Sequence, residues 1–542
     1  MATTCRISPI RALAAPRAHR ALVVMALLWL AMVVSALCRP LLPIGETRYV
    51  SVAWEMWAGH HFWVPVMNGA PYADKPPLLF WLIHAGWAVF GVNAWWPRLI
   101  SPLASLLALV QLYRIARGLG YAPAQARWAP LVLLTLLLWQ LYSGALMFDV
   151  LLSACLLGAI APLVSGAFDA RRALACGLWL GAALLAKGPV ALVTFLPILA
   201  TSPCWRAEPL SGAQWRRVLG ALGLGSALLL GWALTAAWAG GGEFARMLLW
   251  GQTVDRLHDS MAHARPWWWY LPWLVVLLFP WSLWPSAWPG LPRRRHQRLA
   301  WFWTLPALAV FSLISGKQVH YLMPVLPGVA LLVMDRLTRP SCSGSASMKP
   351  ASLKPVALAL AGLGVAVSGA LVFGVGAVDT TLISPFGAVL LIGLGALLWY
   401  QPARNTLATA RTLAVACTAS VVIVVQVMLF PLWQRESVIG PAELIGSLQR
   451  EGVPVAYVGG NYQATFQFAG RLRTPLAPVS DSRALCRFRT AHPEGWAVGR
   501  TRTLTPWLEG HALRRTFLYR SGTLVVLPIG TDVRPNASES CP

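Results

Sequence analysis

Apolar runs about as long as a bilayer is thick recur from Ala21 to Leu429, parted by short polar breaks. A spanning helix needs about 20 mostly apolar residues. On that measure crossings fall at 21–38, 98–113, 128–147, 150–168, 173–186, 188–203, 218–239, 268–287, 299–315, 320–335, 355–376, 382–400 and 412–432. The apolar piece 78–90 is assigned to the membrane interface, because one more crossing there would carry Arg114 and Arg117 to the opposite side. Beyond residue 432 the spans stop and charged residues return. There 442–449 has the pattern of a helix, and 453–458, 517–519 and 523–527 have those of short strands. The pattern predicts a basic segment at 1–20, an α-helical polytopic membrane domain at 21–432 with a long first loop at 39–97, and a small soluble α/β domain at 433–542.

The formal net charge of +25 raises a nucleic-acid reading, which requires basic residues gathered on one soluble surface. They are scattered instead between apolar runs: Arg6 to Arg20, Arg114 and Arg117, Arg171 and Arg172, Arg206 with Arg216 and Arg217, Arg293 to Arg298, Arg336 to Lys354, and Arg404 with Arg411. This is the positive-inside pattern, so no nucleic-acid partner is expected and the clusters are assigned to the cytoplasm. With a cytoplasmic N-terminus and about thirteen crossings the count closes, which predicts a multi-pass bacterial inner-membrane protein with a periplasmic C-terminus. Before Pro431 only Asp169, Glu208 and Asp335 then fall inside, whereas Glu46, Glu55, Asp74, Asp149, Glu243, Asp255, Asp259 and Asp379 fall outside. The first run has the basic leader of a signal peptide, but Leu37 before Cys38 suits neither signal nor lipoprotein processing, and a retained anchor is expected. The cysteines show no metal-ligand spacing; Cys486 and Cys541, both in the outer domain, leave a disulfide open.

The first loop is patterned. It carries Gly45-Glu46-Thr47-Arg48-Tyr49, an amphipathic stretch at 50–57, and Asn68-Gly69-Ala70-Pro71-Tyr72-Ala73-Asp74-Lys75-Pro76-Pro77, with enough Trp and Tyr for helices lying at headgroup level. Glu46, Arg48, Asp74 and Lys75 could set a carboxylate and cations around an anionic lipid headgroup; the plainer alternative is a solvated loop with surface ion pairs. Asp149 interrupts an apolar stretch at the outer tip of a tight hairpin, where a charge facing the bilayer centre would cost roughly 2.5–3.5 kcal/mol and so should face a cavity or partner. Lys187, before Gly188-Pro189, breaks another run at the same depth; snorkelling would explain one such charge better than two opposite ones. Ser315 to Pro324, with Lys317, His320 and Tyr321, enters a span just after a cation. In the loop 251–272, His258 and His263 lack a third metal ligand placed by spacing, and no metal site is expected.

Taken in order, Gly-Glu-Thr-Arg-Tyr, Asn-Gly-x-Pro-Tyr-x-x-Lys-Pro-Pro-Leu, Pro97-Arg98-Leu99, the hairpin aspartate, Lys187-Gly188-Pro189 and Lys317-x-x-His320-Tyr321-x-x-Pro324 resemble the protein O-mannosyltransferase-like glycosyltransferases, nearest the aminoarabinose transferases that modify lipid A. The resemblance implies a GT-C type glycosyltransferase fold and inverting transfer of a sugar from an undecaprenyl-phosphate donor to lipid A or another envelope glycan or lipid, on the periplasmic face. It implies donor-phosphate contacts from Arg48, Lys75, Lys187, Lys317 and Tyr321, catalytic carboxylates at Glu46 and Asp149, and His320 and Asp74 in the substrate cavity. No cofactor is expected, with a divalent cation left open.

One position departs from the family pattern. Where an acidic pair usually precedes Thr-Arg, this chain has Gly45-Glu46, so a carboxylate often assigned as catalytic is glycine. Glu46 serving alone, Asp149 taking the role, an already anionic phosphate acceptor needing no strong base, and an inactive copy are the accounts open from sequence. A lipid-linked-sugar transporter is the alternative from another class; it would show internal repeats or helices broken near mid-membrane, and neither is read here. Gly459-Gly460-Asn461 is read as a turn, since no nucleotide fingerprint accompanies it.

Overall fold

The computed structural model describes residues 15–164, 166–248, 264–288, 290, 292, 294–339, 352–374, 379–402, 405–505, 514–520 and 522–529. Asp255, Asp259, His258, His263, Arg404, Cys541 and the basic residues before Ala15 lie outside the described residues. Each predicted crossing coincides with a helix, a bent pair, or a helix with a short continuation. Among the described residues five helices are by length and composition able to cross a bilayer unaided: Ala21–Cys38, Trp95–Gly118, Gly212–Arg246, Lys354–Phe373 and Thr406–Met428. Several others are shorter or broken, and the apolar pattern concealed those breaks.

The predicted crossing at 128–147 is such a case. Helix Trp128–Thr135 stops where Leu136 turns extended, and helix Leu137–Ser143 resumes after Leu137 donates its N–H to the Phe279 carbonyl at 2.9 Å. A second break follows, and helix Phe148–Val164 leaves at 111° to its predecessor. An apolar sequence tolerates such a break only when other groups satisfy the freed backbone. Here the Arg39 guanidinium donates to the Gly144 carbonyl at 2.7 Å, the Glu46 carboxylate accepts from Leu146 N–H at 2.7 Å, and the Ser101 hydroxyl accepts from Met147 N–H at 3.0 Å.

Small residues let the helices approach. A side chain at Gly177 or Gly181 would collide with Leu224 or Leu228 of the long helix Gly212–Arg246, and one at Gly225 would press on Leu180. Close backbone packing of this kind is the usual substitute for the hydrophobic effect between helices in lipid.

Segments predicted to share the cytoplasmic end are tied to one another. Tyr121 donates to Asp335 at 2.7 Å, Gln297 to the same carboxylate at 3.1 Å, and Gln125 to the Thr338 carbonyl at 3.1 Å. Arg206 reaches the Gly166 carbonyl at 2.9 Å, and Arg295 the Ala207 carbonyl at 3.0 Å. A cleft of about 620 Å³ lined by Arg114, Arg117, Arg171 and Arg172 opens at this end, the full length of helix Ala170–Lys187 away from Lys187.

The C-terminal domain is α/β. Its five-stranded sheet has the order β4-β3-β5-β7-β6, with β3 (Val455–Val458) parallel to β4 (Ala477–Val479) and β5 (Trp496–Arg500), and β7 (Gly522–Pro528) antiparallel to β5 and β6 (Arg515–Tyr519). Helix Ile439–Arg450 packs on it at the predicted place. Strands β4 and β5 were not read from sequence: one is three residues with a central proline, the other contains Gly499, and both are poor in the alternation that marks a strand. Gly459 and Gly460 form the predicted turn, with φ of 112° and 58°.

This domain rests on the first loop. Helix Glu46–Ala58, expected at headgroup level, is instead enclosed: Val50, Val52, Ala53 and Met56 have no exposed surface. Trp54 donates to the Leu472 carbonyl at 2.8 Å, and Trp87 stacks on Phe468 with ring centroids 5.5 Å apart. The segment between β3 and β4 packs on one side of the helix, where the Ser51 hydroxyl also accepts from Phe468 N–H at 3.1 Å.

Candidate functional site

The loop end of the bundle gathers most of the charged residues singled out in the sequence. Asp149 lies in the first turn of helix Phe148–Val164, where unpaired backbone N–H groups favour a carboxylate. The 111° bend aims this turn inward, and Asp149 is 2 % exposed. Lys187 ends helix Ala170–Lys187 because Gly188 follows at φ 76°, a backbone that a residue with a Cβ rarely adopts. The Lys187 ammonium forms an ion pair with Asp149 and sits over the Tyr321 ring, 4.6 Å from its centroid.

His320 and Tyr321 arrive on the tight helical turn Val319–Val325. The His320 Nε2 atom is 3.9 Å from the second Asp149 oxygen, and its ring lies between Tyr142 and Tyr321, at 5.4 and 4.9 Å between centroids. Lys75 is within electrostatic range of His320, and Pro76 borders Gly188, so the Asp74-Lys75-Pro76-Pro77 turn stands over the end of the Lys187 helix. The Arg48 guanidinium lies over the Tyr49 ring, 5.2 Å from its centroid, with Tyr72 and Asp74 within electrostatic range, and Asp149 is within the same range of Tyr49. Tyr49 and Phe80 pack edge-on against Phe148, at 4.8 and 5.7 Å, and seat the aspartate's helix turn. The structure thus brings Arg48, Asp74, Lys75, Asp149, Lys187, His320 and Tyr321 into one neighbourhood.

Two residues expected in that cavity are engaged elsewhere. Glu46 is 1 % exposed and fully occupied: Arg39 grips both oxygens at 2.6 and 2.7 Å, and the N–H groups of Leu42 and Leu146 donate at 2.8 and 2.7 Å. Burial opposes its charge, but Arg39 and the two backbone donors outweigh that and hold its pKa below the ordinary carboxylate range. A carboxylate so held has each of its acceptor directions filled, and the structure places Glu46 at the helix bend beside the Asp149 cluster. Lys317, 3 % exposed, donates to the carbonyls of Arg265 and Ile314 at 2.9 and 2.5 Å and fastens one loop to another.

Next to the cluster, Glu55 organises the loop's hairpin. Strands β1 (Val66–Met67) and β2 (Ala70–Pro71) join through Asn68 and Gly69, with φ of 52° and 77°, and Glu55 accepts both of their N–H groups at 2.7 and 2.8 Å. Burial raises the Glu55 pKa to about 7 despite these donors. Asn68 also bonds the Leu476 carbonyl and N–H at 2.9 Å each and accepts from Gln467 at 2.7 Å, so the hairpin is clasped by the C-terminal domain.

Sequence reasoning missed Arg39, Tyr142 and Gln463. Arg39 read only as the start of the loop and Tyr142 as part of a span. Gln463 lies 415 residues from Arg48, to which it bonds at 2.9 Å, and no local signal could connect them. Among the described residues no group of three or more His, Cys, Asp or Glu could hold a metal ion. Cys486 is disulfide-bonded.

Comparison with known proteins places these features. The family model described as dolichyl-phosphate-mannose-protein mannosyltransferase matches residues 74–230. An undecaprenyl phosphate-alpha-4-amino-4-deoxy-L-arabinose arabinosyl transferase of Pseudomonas aeruginosa strain UCBPP-PA14 is 34% identical over 311 residues, 54% of this chain and 55% of that one. A Pseudomonas fluorescens Pf-5 transferase of the same description is 30% identical over 328 residues, 56% of this chain and 57% of the relative. The chain spans about half the length of the curated relatives it matches. Among solved structures, ArnT from Cupriavidus metallidurans in the apo state superposes with a TM-score of 0.73 at 18% identity, covering 96% of this chain and 100% of that one. The same protein bound to undecaprenyl phosphate gives 0.71 at 19% identity, covering 96% and 99%. The chain is a multi-pass membrane protein with the GT-C fold of the ArnT structures, and over residues 74–230 it resembles the dolichyl-phosphate-mannose-protein mannosyltransferase family.

Proposed function

We propose that this protein is an integral-membrane glycosyltransferase of the bacterial inner membrane, moving a sugar from an undecaprenyl-phosphate carrier to lipid A or another envelope glycan or lipid on the periplasmic face. The observation that carries the proposal is the Asp149–Lys187 pair, buried at one end of the bundle and bordered by His320, Tyr321 and the Lys75 turn. The relatives from Pseudomonas are transferases of the same class of donor, and ArnT from Cupriavidus metallidurans, of the same fold, has been solved bound to undecaprenyl phosphate. The positive-inside count supports a cytoplasmic N-terminus and a periplasmic C-terminal domain.

The reaction exchanges one C–O bond at the anomeric carbon for another. The acceptor oxygen attacks the face opposite the phosphate, and the electron pair of the breaking bond leaves with the lipid phosphate. Arg48, Lys75 and Lys187 supply positive charge where that phosphate becomes more negative, a contribution that grows toward the transition state. Tyr321, under the Lys187 ammonium, fixes its height, and His320 and Asp74 line the approach. Asp149 orients Lys187 and opposes the positive charge that develops on the sugar ring. An acceptor that is itself a phosphate needs no strong base, which suits a site with Gly45 at the family's acidic position.

The test is transfer of label from undecaprenyl-phosphate sugars to membrane acceptors by the detergent-solubilised full chain, comparing wild type with Lys75→Ala and Asp149→Ala. Transfer by the wild type that both substitutions abolish, with melting behaviour retained, is the expected result. Carrier binding with no transfer to any acceptor would overturn it in favour of a transporter or an inactive copy.

A further inference from the structure

The charged cluster of the membrane domain is joined to the C-terminal domain through Arg48. Arg48 has the Asp74 carboxylate within electrostatic range, and its guanidinium lies over the Tyr49 ring, 5.2 Å from the centroid. Among the described residues its guanidinium bonds to one side chain outside the membrane domain, the Gln463 amide oxygen at 2.9 Å, while its Nε atom is buried with no hydrogen-bond partner. An arginine held at one nitrogen and left unsatisfied at another is poised to take a further acceptor, and a lipid phosphate oxygen is the acceptor class that such a guanidinium matches.

Gln463 is placed by a particular piece of backbone. Strand β3 ends at Val458, Gly459 and Gly460 turn the chain, and the segment through Leu476 runs back over the loop helix Glu46–Ala58. It is anchored along its length. Tyr462 donates to Gln467 at 2.6 Å, Gln467 donates to Asn68 at 2.7 Å, the Ser51 hydroxyl accepts from Phe468 N–H at 3.1 Å, and Arg471 covers the Trp54 and Phe468 rings. A side chain carried on a segment fixed at so many points has little freedom to give up when it holds Arg48.

We propose that the C-terminal domain is part of the donor-binding site, and that Gln463 is a positioning residue that presents Arg48 to the carrier phosphate. A neutral amide suits that position, because its oxygen orients the guanidinium without neutralising the charge that the phosphate needs, as a carboxylate at the same place would. The inference rests on the donor class proposed above.

The experiment measures binding of radiolabelled undecaprenyl phosphate to the full-length, detergent-solubilised chain, together with thermal melting. Gln463→Ala is expected to weaken binding about five- to tenfold, with its melting temperature close to wild type. In an Arg48→Ala background the same change is expected to add less than about twofold, because the coupling partner is gone. Gln467→Ala is the structural control. It breaks the adjoining tie to Asn68, and should lower the melting temperature while leaving affinity within about twofold. Wild-type affinity in Gln463→Ala, or full additivity with Arg48→Ala, would overturn the positioning role. Equal loss of affinity in Gln467→Ala would reduce it to general docking. If neither Arg48→Ala nor Lys187→Ala weakens carrier binding, the donor reading itself falls.

Discussion

Two buried carboxylate–cation pairs stand at the same end of this molecule, and they are built oppositely. Glu46 is held by both arms of Arg39 and by two backbone N–H groups, so every acceptor direction has a donor. Asp149 is held at one oxygen by a single lysine, and its other oxygen stands 3.9 Å from an imidazole, beyond hydrogen-bond reach. A fully satisfied pair has nothing left to offer a substrate. A partly satisfied one can exchange partners as charge moves, provided its surroundings hold it in place. The two are connected: Glu46 and Arg39 close the helix bend three residues before Asp149, so the first pair acts as the mount of the second.

The contrast can be broken at the mount first. Glu46→Ala strands Arg39 in a buried site and unpins Leu146, and is expected to lower stability by about 3–5 kcal/mol. Loss of folded protein in detergent, seen by size-exclusion chromatography and melting, checks it. A well-folded Glu46→Ala variant that has lost activity would return Glu46 to the chemistry. Asp149→Asn keeps the shape but removes the charge. It should cut transfer by about 10²–10³-fold in initial-rate assays, with a smaller loss of stability than Glu46→Ala because the stranded Lys187 is more exposed than Arg39; native activity in Asp149→Asn would leave the comparison without its reactive half.

A third variant probes a carboxylate of intermediate character. Glu55 in the folded protein keeps its proton up to about pH 7, whereas the unfolded chain loses it near 4.5. The folded state therefore binds more protons between those values, and stability falls as pH rises through that window, then levels off. Melting curves from pH 4 to 8 should show this fall in wild type and a flatter profile in Glu55→Gln. The smallest effect belongs to Gly45→Asp. Gly45 has an ordinary φ of −77°, and a Cβ there would meet no atom within 4 Å, so the family's acidic residue fits. With Asp149 carrying the role, activity should change by less than about twofold. A large gain would show instead that position 45 still wants its carboxylate.

Much of the membrane domain was legible in the sequence because lipid enforces a simple code: apolar length, basic loops and charges confined to the ends are each readable one residue at a time. Asp149 and Lys187 stood out for the same reason, as lone charges in long apolar runs. The breaks near Leu136 and Gly144 were hidden, because an apolar run looks alike whether its backbone bonds continue or are taken up by Phe279, Arg39, Glu46 and Ser101. Strands β4 and β5 were missed because a central proline in one and Gly499 in the other spoil the alternation that marks a strand.

The sequence by itself determined the run of apolar helices, the change to an α/β pattern after residue 432, the family resemblance, and the residue types able to meet a phosphate. Only the tertiary structure decided which charges were already committed. Glu46 and Arg48 are two residues apart in one helix, yet one is enclosed by Arg39 and the other reaches to Gln463 in another domain. The physical reason is that a polar group's role depends on how many of its hydrogen-bond directions remain unfilled, and the partners that fill them come from anywhere in the chain.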